Sequence, residues 1–188
     1  YLANTFVKTK ENLRNIITKE WVFCSVDAGG EVLAKKFATS FNIPLVVAHK
    51  QRDYSTVNKV TSVHILSSMP LENKVVWIID DMIDTGGSVQ KLVIELNKRG
   101  VKEVNIAVVH PVLSPPAIER MKELIDNGML KHLLFADTIY CSHDYLTPLP
   151  NVTVVPSHEI AADVIHRLNQ ELMLSHFFES FNAFEYLT

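Results

Sequence analysis

Asp80, Asp81 and Asp84 crowd into one short stretch, and the last of them opens the run Asp84-Thr85-Gly86-Gly87-Ser88. Like charges packed this closely repel one another unless a cation or hydrogen-bond donors offset them. Carboxylates so placed can therefore hold a metal ion or accept hydrogen bonds from sugar hydroxyls. The glycines point to a second kind of chemistry. With no Cβ to intrude, the backbone at Gly86 and Gly87 can close on an anion, and Thr85 and Ser88 can add hydroxyl donors. The run is not the GxxxxGK[ST] phosphate loop, which needs a lysine before its last residue, and it is not GxGxxG. The alternative is an ordinary strand-to-helix turn capped by Asp84 or Thr85. That alternative explains one aspartate and one glycine but not three aspartates.

A second run, Asp27-Ala28-Gly29-Gly30, repeats the same logic. Alone it also admits the reading of a tight turn with Asp27 as the cap. Beside the first run, it offers a second anion-binding turn, so that one ligand could be held at two phosphates. A third candidate is His49-Lys50-Gln51-Arg52, where Lys50 and Arg52 alternate along an extended segment and would point the same way. A solvated basic patch is the alternative there.

The elements that must position these residues follow from hydrophobic patterning. Residues 75–79 are all apolar, as in a strand covered on both faces of a parallel sheet. Residues 89–98 have helical spacing, with Leu92, Val93 and Leu96 on one face and Gly100 as a stop. The first run therefore sits between a strand's carboxyl end and a helix N-terminus, where ligands of open α/β sheets bind and where the helix dipole favours an anion. Strands are also expected at 21–26, 44–48, 104–109, 132–136 and 152–155. Helices are expected at 6–17, 31–38, 117–126 and 159–172, the last with Ser157 as N-cap and with Ile160, Ala161, Val164, Ile165 and Leu168 inward. Residues 49–73 read as a long polar loop with a short strand at 60–66, the usual signature of a lid or binding loop. Strand and helix alternate, so the fold class is α/β, a doubly wound and mostly parallel sheet.

The 188 residues favour one domain. At 47% hydrophobic and 21% charged, with a net charge of −3, the chain lacks the footprint of a nucleic-acid binder. No apolar run approaches a membrane span, and no signal peptide opens the chain. Cys24 and Cys141 read as two reduced thiols of a cytoplasmic protein. The chain begins with Tyr1 and leads directly into a helical pattern, so a fragment of a longer protein is expected.

The stretch 80–88, with Met82-Ile83 between its acids and two glycines after Thr85, resembles the phosphoribosyl-binding loop of ribose-phosphate pyrophosphokinases, also called phosphoribosyl pyrophosphate synthetases. The wider type I phosphoribosyltransferase fold shares the acidic pair and the Thr-Gly turn. The resemblance runs from about Asp27 to about Phe178 and implies one ribose-5-phosphate-binding domain over residues 1–178, including the loop 49–73, with a tail at 179–188. It also implies that the nucleotide-binding half found in such enzymes is absent from this chain. Asp80, Asp81, Asp84, Thr85, Gly86, Gly87 and Ser88 would bind ribose 5-phosphate. Asp27, Ala28, Gly29 and Gly30 would form the pyrophosphate loop, with Asp27 holding the Mg2+ of ATP, although Val26 stands where the family has proline. Lys50 and Arg52 would be catalytic, closing over the transferring phosphates, and Gln51 departs from the family's Lys-Arg-Arg. The implied reaction is attack of the anomeric hydroxyl of ribose 5-phosphate on the β-phosphorus of magnesium ATP, giving phosphoribosyl pyrophosphate and AMP in a homo-oligomer. A phosphoribosyltransferase acting on a nucleobase and a non-catalytic regulatory subunit remain as alternatives. His110 is expected to be structural. Asp137 and Thr138 are expected to line the sheet's end. His143-Asp144 is a weak metal pair, and Ser175 and Phe178 match a regulatory anion site between subunits only loosely.

Overall fold

Seven strands form one sheet in the computed structural model, which describes residues 20–52 and 60–178 and the side chains of all of these except 50–52 and 60–62. The helix expected at 6–17 and the tail 179–188 lie outside the described residues. In chain order the strands are β1 (Trp21–Ser25), β2 (Leu45–Arg52), β3 (Val60–Leu66), β4 (Val75–Ile83), β5 (Glu103–Pro111), β6 (His132–Ala136) and β7 (Val152–Val155). They lie in the order β3-β2-β1-β4-β5-β6-β7. All neighbours are parallel except β2 and β3. The helices are α1 (Glu31–Phe41), α2 (Gly87–Lys98), α3 (Ala117–Asp126), the short α4 (His143–Leu146) and α5 (His158–Asn169), followed by a 3₁₀ turn at Ser175–Phe177. The fold is α/β with a mostly parallel sheet, as the alternation of elements requires.

The two faces of the sheet carry different cores. Val22, Val76, Ile78, Ile106 and Val108 face α2 and α3, which present Val89, Leu92, Val93 and Leu96, and Ala117, Ile118, Met121 and Leu124. On the other face Trp21, Phe23, Trp77 and Ile79 meet Ala34, Phe37 and Phe41 of α1. Trp21 stacks within 5.7 Å of Trp77, and Phe23 lies 5.6 Å from Phe41, both centroid to centroid. Strand alternation sends successive residues to opposite faces, which is why one continuous apolar run feeds both cores. The chain leaves β1 for one face and β4 for the other, although β1 and β4 are neighbours. Their junction is thus the point where the winding of the sheet reverses, the place open α/β sheets reserve for ligands.

Three expectations are corrected. Within 49–73 the short strand expected at 60–66 is present as β3, but the segment before it is not loop: β2 runs on to Arg52 and pairs with β3 as an antiparallel ribbon, with Lys50 opposite Val63. The register shifts between Gln51 and Arg52, inside the segment over which alternation was counted. Next, β4 does not stop before its acids. Asp80 still pairs with Val108 and Ile83 with Pro111, because the long β5 continues to supply ladder partners. Finally, the apolar stripe of α5 is not inward. No residue of this helix is buried, and Ile165 is 66% exposed. Helical periodicity marks such a stripe without naming what covers it.

Candidate functional site

Beyond the carboxyl ends of β1 and β4 lies an open cleft of about 380 Å³, within the size range of small-molecule sites. Its walls are Asp27, Gly29 and Gly30 from the β1–α1 turn, and the continuous stretch from Asp80 to Val89. The two glycine turns meet because β1 and β4 are in register, with Ser25 opposite Ile79. They touch at one point. A Cβ on Gly30 would lie 3.1 Å from Asp80 Oδ1, a tight contact that glycine avoids where the β1–α1 turn comes close to the acid.

The β4–α2 turn is built to expose backbone donors. Gly86 has φ +73, a left-handed conformation that other residues adopt only with strain, and it is buried. No side chain caps α2, so neither Asp84 nor Thr85 plays the capping role that an ordinary turn would give it. The first backbone hydrogen bond of the helix runs from Gln90 N–H to the Gly86 carbonyl at 2.9 Å. Among the described residues the N–H groups of Gly86, Gly87, Ser88 and Val89 have no protein partner, as expected of an uncapped first turn. They open on the cleft together with the positive end of the helix dipole.

The acids are arranged differently. Asp80 is half-buried and its Oδ1 accepts the Asp81 N–H at 3.1 Å, while Asp81 and Asp84 are exposed. Asp27 Oδ1 accepts the Gly30 N–H at 3.1 Å, which closes the β1–α1 turn on itself. Ala28 is exposed and does not line the cleft. Lys50 and Arg52 belong to β2, and their side chains lie outside the described part. Arg120 of α3 reaches the site without any signal in the sequence: its Nη1 donates to the Thr85 carbonyl at 2.7 Å, 35 residues away.

The weaker candidates sort by contact. Thr138 Oγ1 donates to the Val109 carbonyl at 2.6 Å, which commits its single proton, so His110 Nδ1, 2.8 Å away, is the donor of that pair. Both residues thus tie the end of β5 to the turn after β6. Asp137 accepts from the backbone and hydroxyl of Ser157, and these bonds hold its carboxyl below the usual range. Ser157 therefore anchors α5 as a donor and is not its side-chain cap. His143 and Asp144 open α4, and no cluster of three metal-ligating side chains occurs among the described residues. Ser175 and Phe178 lie in and after the 3₁₀ turn, away from the cleft lining. Burial pushes the Cys24 thiol up to about 12, which removes it as a nucleophile.

A family model described as the phosphoribosyl transferase domain matches residues 7–131. A ribose-phosphate pyrophosphokinase of Clostridium tetani is 34% identical over 158 residues, covering 84% of this chain and 46% of that protein. One of Chlorobaculum tepidum is 29% identical over 179 residues, covering 95% of this chain and 52% of that protein. The crystal structure of phosphoribosylpyrophosphate synthetase from Mycobacterium smegmatis superposes with a TM-score of 0.69 at 29% identity, covering 81% of this chain and 46% of that one. The chain thus spans about half the length of the relatives it matches. The family model matches more than half of the residues, and this chain belongs to the phosphoribosyl transferase domain family.

Proposed function

We propose that this chain is the ribose-5-phosphate-binding part of a ribose-phosphate pyrophosphokinase. The observation that carries the reading is the row of N–H groups from Gly86 to Val89, without partners among the described residues, lining a cleft that also holds the carboxylates of Asp80 and Asp27. A phosphomonoester suits the first wall and ribose hydroxyls suit the acids. The relatives named as ribose-phosphate pyrophosphokinases favour this class of transfer.

The 5-phosphate sits in the Asp84–Ser88 turn. Asp80 and Asp81 accept hydrogen bonds from the ribose hydroxyls and orient the anomeric oxygen. That oxygen attacks the β-phosphorus of ATP, the bond from this phosphorus to the AMP oxygen breaks, and AMP departs. Such transfers depend on positioning and charge neutralisation. Asp27 offers one carboxylate among the described residues near the second turn, and the donor set suits an Mg2+ that keeps waters and is shared with substrate phosphates more than an all-protein cage. When bound, that ion would neutralise charge on the phosphoryl groups. Lys50 and Arg52 meet the transferring phosphates from β2.

Calorimetry of this chain with ribose 5-phosphate tests the reading. Saturable binding that Gly86→Val abolishes is expected, and no binding by the wild type overturns it. In a protein carrying both halves, Lys50→Ala is expected to lower kcat and kcat/KM together by roughly 10²–10³, with the ribose 5-phosphate KM little changed. Steady-state kinetics reads this directly, and a rate within about threefold of wild type removes Lys50 from the mechanism.

A further inference from the structure

We infer that Arg120, on α3, is the positioning residue that aims the Gly86 N–H into the anion site; the inference rests on the proposed phosphate role of that turn. The geometry is set by peptide planarity. The peptide between Thr85 and Gly86 is trans, so its N–H points opposite to its carbonyl. Arg120 Nη1 holds that carbonyl at 2.7 Å on the side facing α3. The Gly86 N–H is thereby turned away from α3, toward the cleft that Thr85 and Gly86 line. The next peptide is fixed from the helix side, where the Gly86 carbonyl accepts from Gln90. With φ +73 at Gly86, the successive N–H groups of Gly86 and Gly87 form the concave arrangement that binds anions.

Arg120 is held for this task. The helix that carries it buries Ala117, Ile118, Met121 and Leu124. Met121 and Ala117 lie directly against Gly86, where an added Cβ would come 3.1 Å from Met121 Cε. A Cβ on Gly87 would come 3.2 Å from Arg120 Nη1, so the guanidinium fills the space behind Gly87 as Met121 and Ala117 fill that behind Gly86. Among the described residues no carboxylate forms an ion pair with Arg120, and the nearby Glu123 receives the Gln90 amide instead. No described carboxylate therefore neutralises the positive charge behind the turn, and it polarises the Thr85–Gly86 peptide in the sense that favours an anion at its N–H.

The test uses ¹⁵N-labelled chain, titrated with ribose 5-phosphate by calorimetry and by the amide signal of Gly86. In the wild type the Gly86 amide is expected to move strongly downfield on saturation. Arg120→Met should weaken binding by about tenfold to a hundredfold, the range for a hydrogen bond to a charged group, and should shrink the Gly86 response at saturation. Arg120→Lys keeps a charge without the planar fork, and should fall between the two, at least about threefold weaker than wild type. A purely packing role would lower Tm while leaving affinity and the Gly86 response unchanged, and that result in the Met variant overturns the inference. If the Met variant does not fold, the Lys variant decides, and wild-type affinity with a wild-type Gly86 response overturns it. If the wild type binds neither ribose 5-phosphate nor inorganic phosphate, the proposed function and this inference fall together. Wild-type binding with unaffected variants removes only the role of Arg120.

Discussion

The two glycine turns of the cleft share a sequence plan, an aspartate and paired glycines between a strand and a helix, yet they are built to opposite ends. In the β1–α1 turn the carboxylate of Asp27 folds back and takes the Gly30 N–H, and Gly30 keeps a right-handed φ of −78. That turn takes up one of its own N–H groups, that of Gly30, and shows a carboxylate to the cleft. No side chain caps either helix; in the β4–α2 turn no aspartate folds back on the glycine N–H groups, Gly86 is left-handed, and α3 supports the turn from behind. That turn leaves its N–H groups to a ligand and shows them instead. One wall of the cleft is thus suited to cations and hydroxyls, the other to anions. A shared motif sets the backbone's freedom, and contacts from the rest of the chain set what the motif presents.

Substitutions that act on one turn and spare the other test this contrast. The largest effect is expected from Gly86→Val. The left-handed conformation costs a non-glycine residue about 1–2 kcal/mol, and the new side chain must displace Met121. Ribose 5-phosphate affinity should drop more than about a hundredfold, as several amide donors move together, with Tm lowered as well. Calorimetry and thermal melts read both, and undiminished affinity would remove the anion role from this wall. Asp27→Asn comes next. The amide oxygen can still accept from Gly30, so Tm should hold, while the lost charge weakens the effect of Mg2+ on nucleotide binding by about tenfold in a protein carrying both halves. An unchanged Mg2+ dependence would make Asp27 a turn residue only. The smallest effect is expected from Gly30→Ala. Its φ suits alanine, so stability should stay within about 0.5 kcal/mol, and its Cβ should shift Asp80 by a few tenths of an ångström. Ribose 5-phosphate affinity should fall by about threefold or less; a loss as large as that of Gly86→Val would show the turns to be one rigid unit rather than two.

Much of this was legible in the chain itself. The apolar run at 75–79 with acids and glycines after it places the site at a strand's carboxyl end, and α3 begins and ends where its patterning says. What escaped depends on partners distant in sequence. The strands β2 and β4 outrun their apolar runs because β3 and β5 keep offering hydrogen bonds, which side-chain patterning does not record. Of two adjacent glycines, Gly86 and not Gly87 is left-handed, and it is the one packed against Met121 and Ala117 of a helix distant in sequence. Arg120 reads as one more polar residue on an amphipathic helix until the fold brings it to Thr85. The apolar stripe of α5 was legible, but its exposure was not.

The aromatic cluster beneath α1 contains both tryptophans of the chain, Trp21 and Trp77, in near contact. Trp77 lies three residues before Asp80, about 10 Å along the strand. Tryptophan fluorescence of this protein, excited selectively over its five tyrosines, is therefore a signal from one place only, the dry layer between α1 and the sheet. It will report the loss of that layer on heating or in denaturant with a single environment and no surface background. A ligand at the glycine turns reaches neither indole, so a titration followed by tryptophan emission alone would miss binding that calorimetry or a backbone amide signal records.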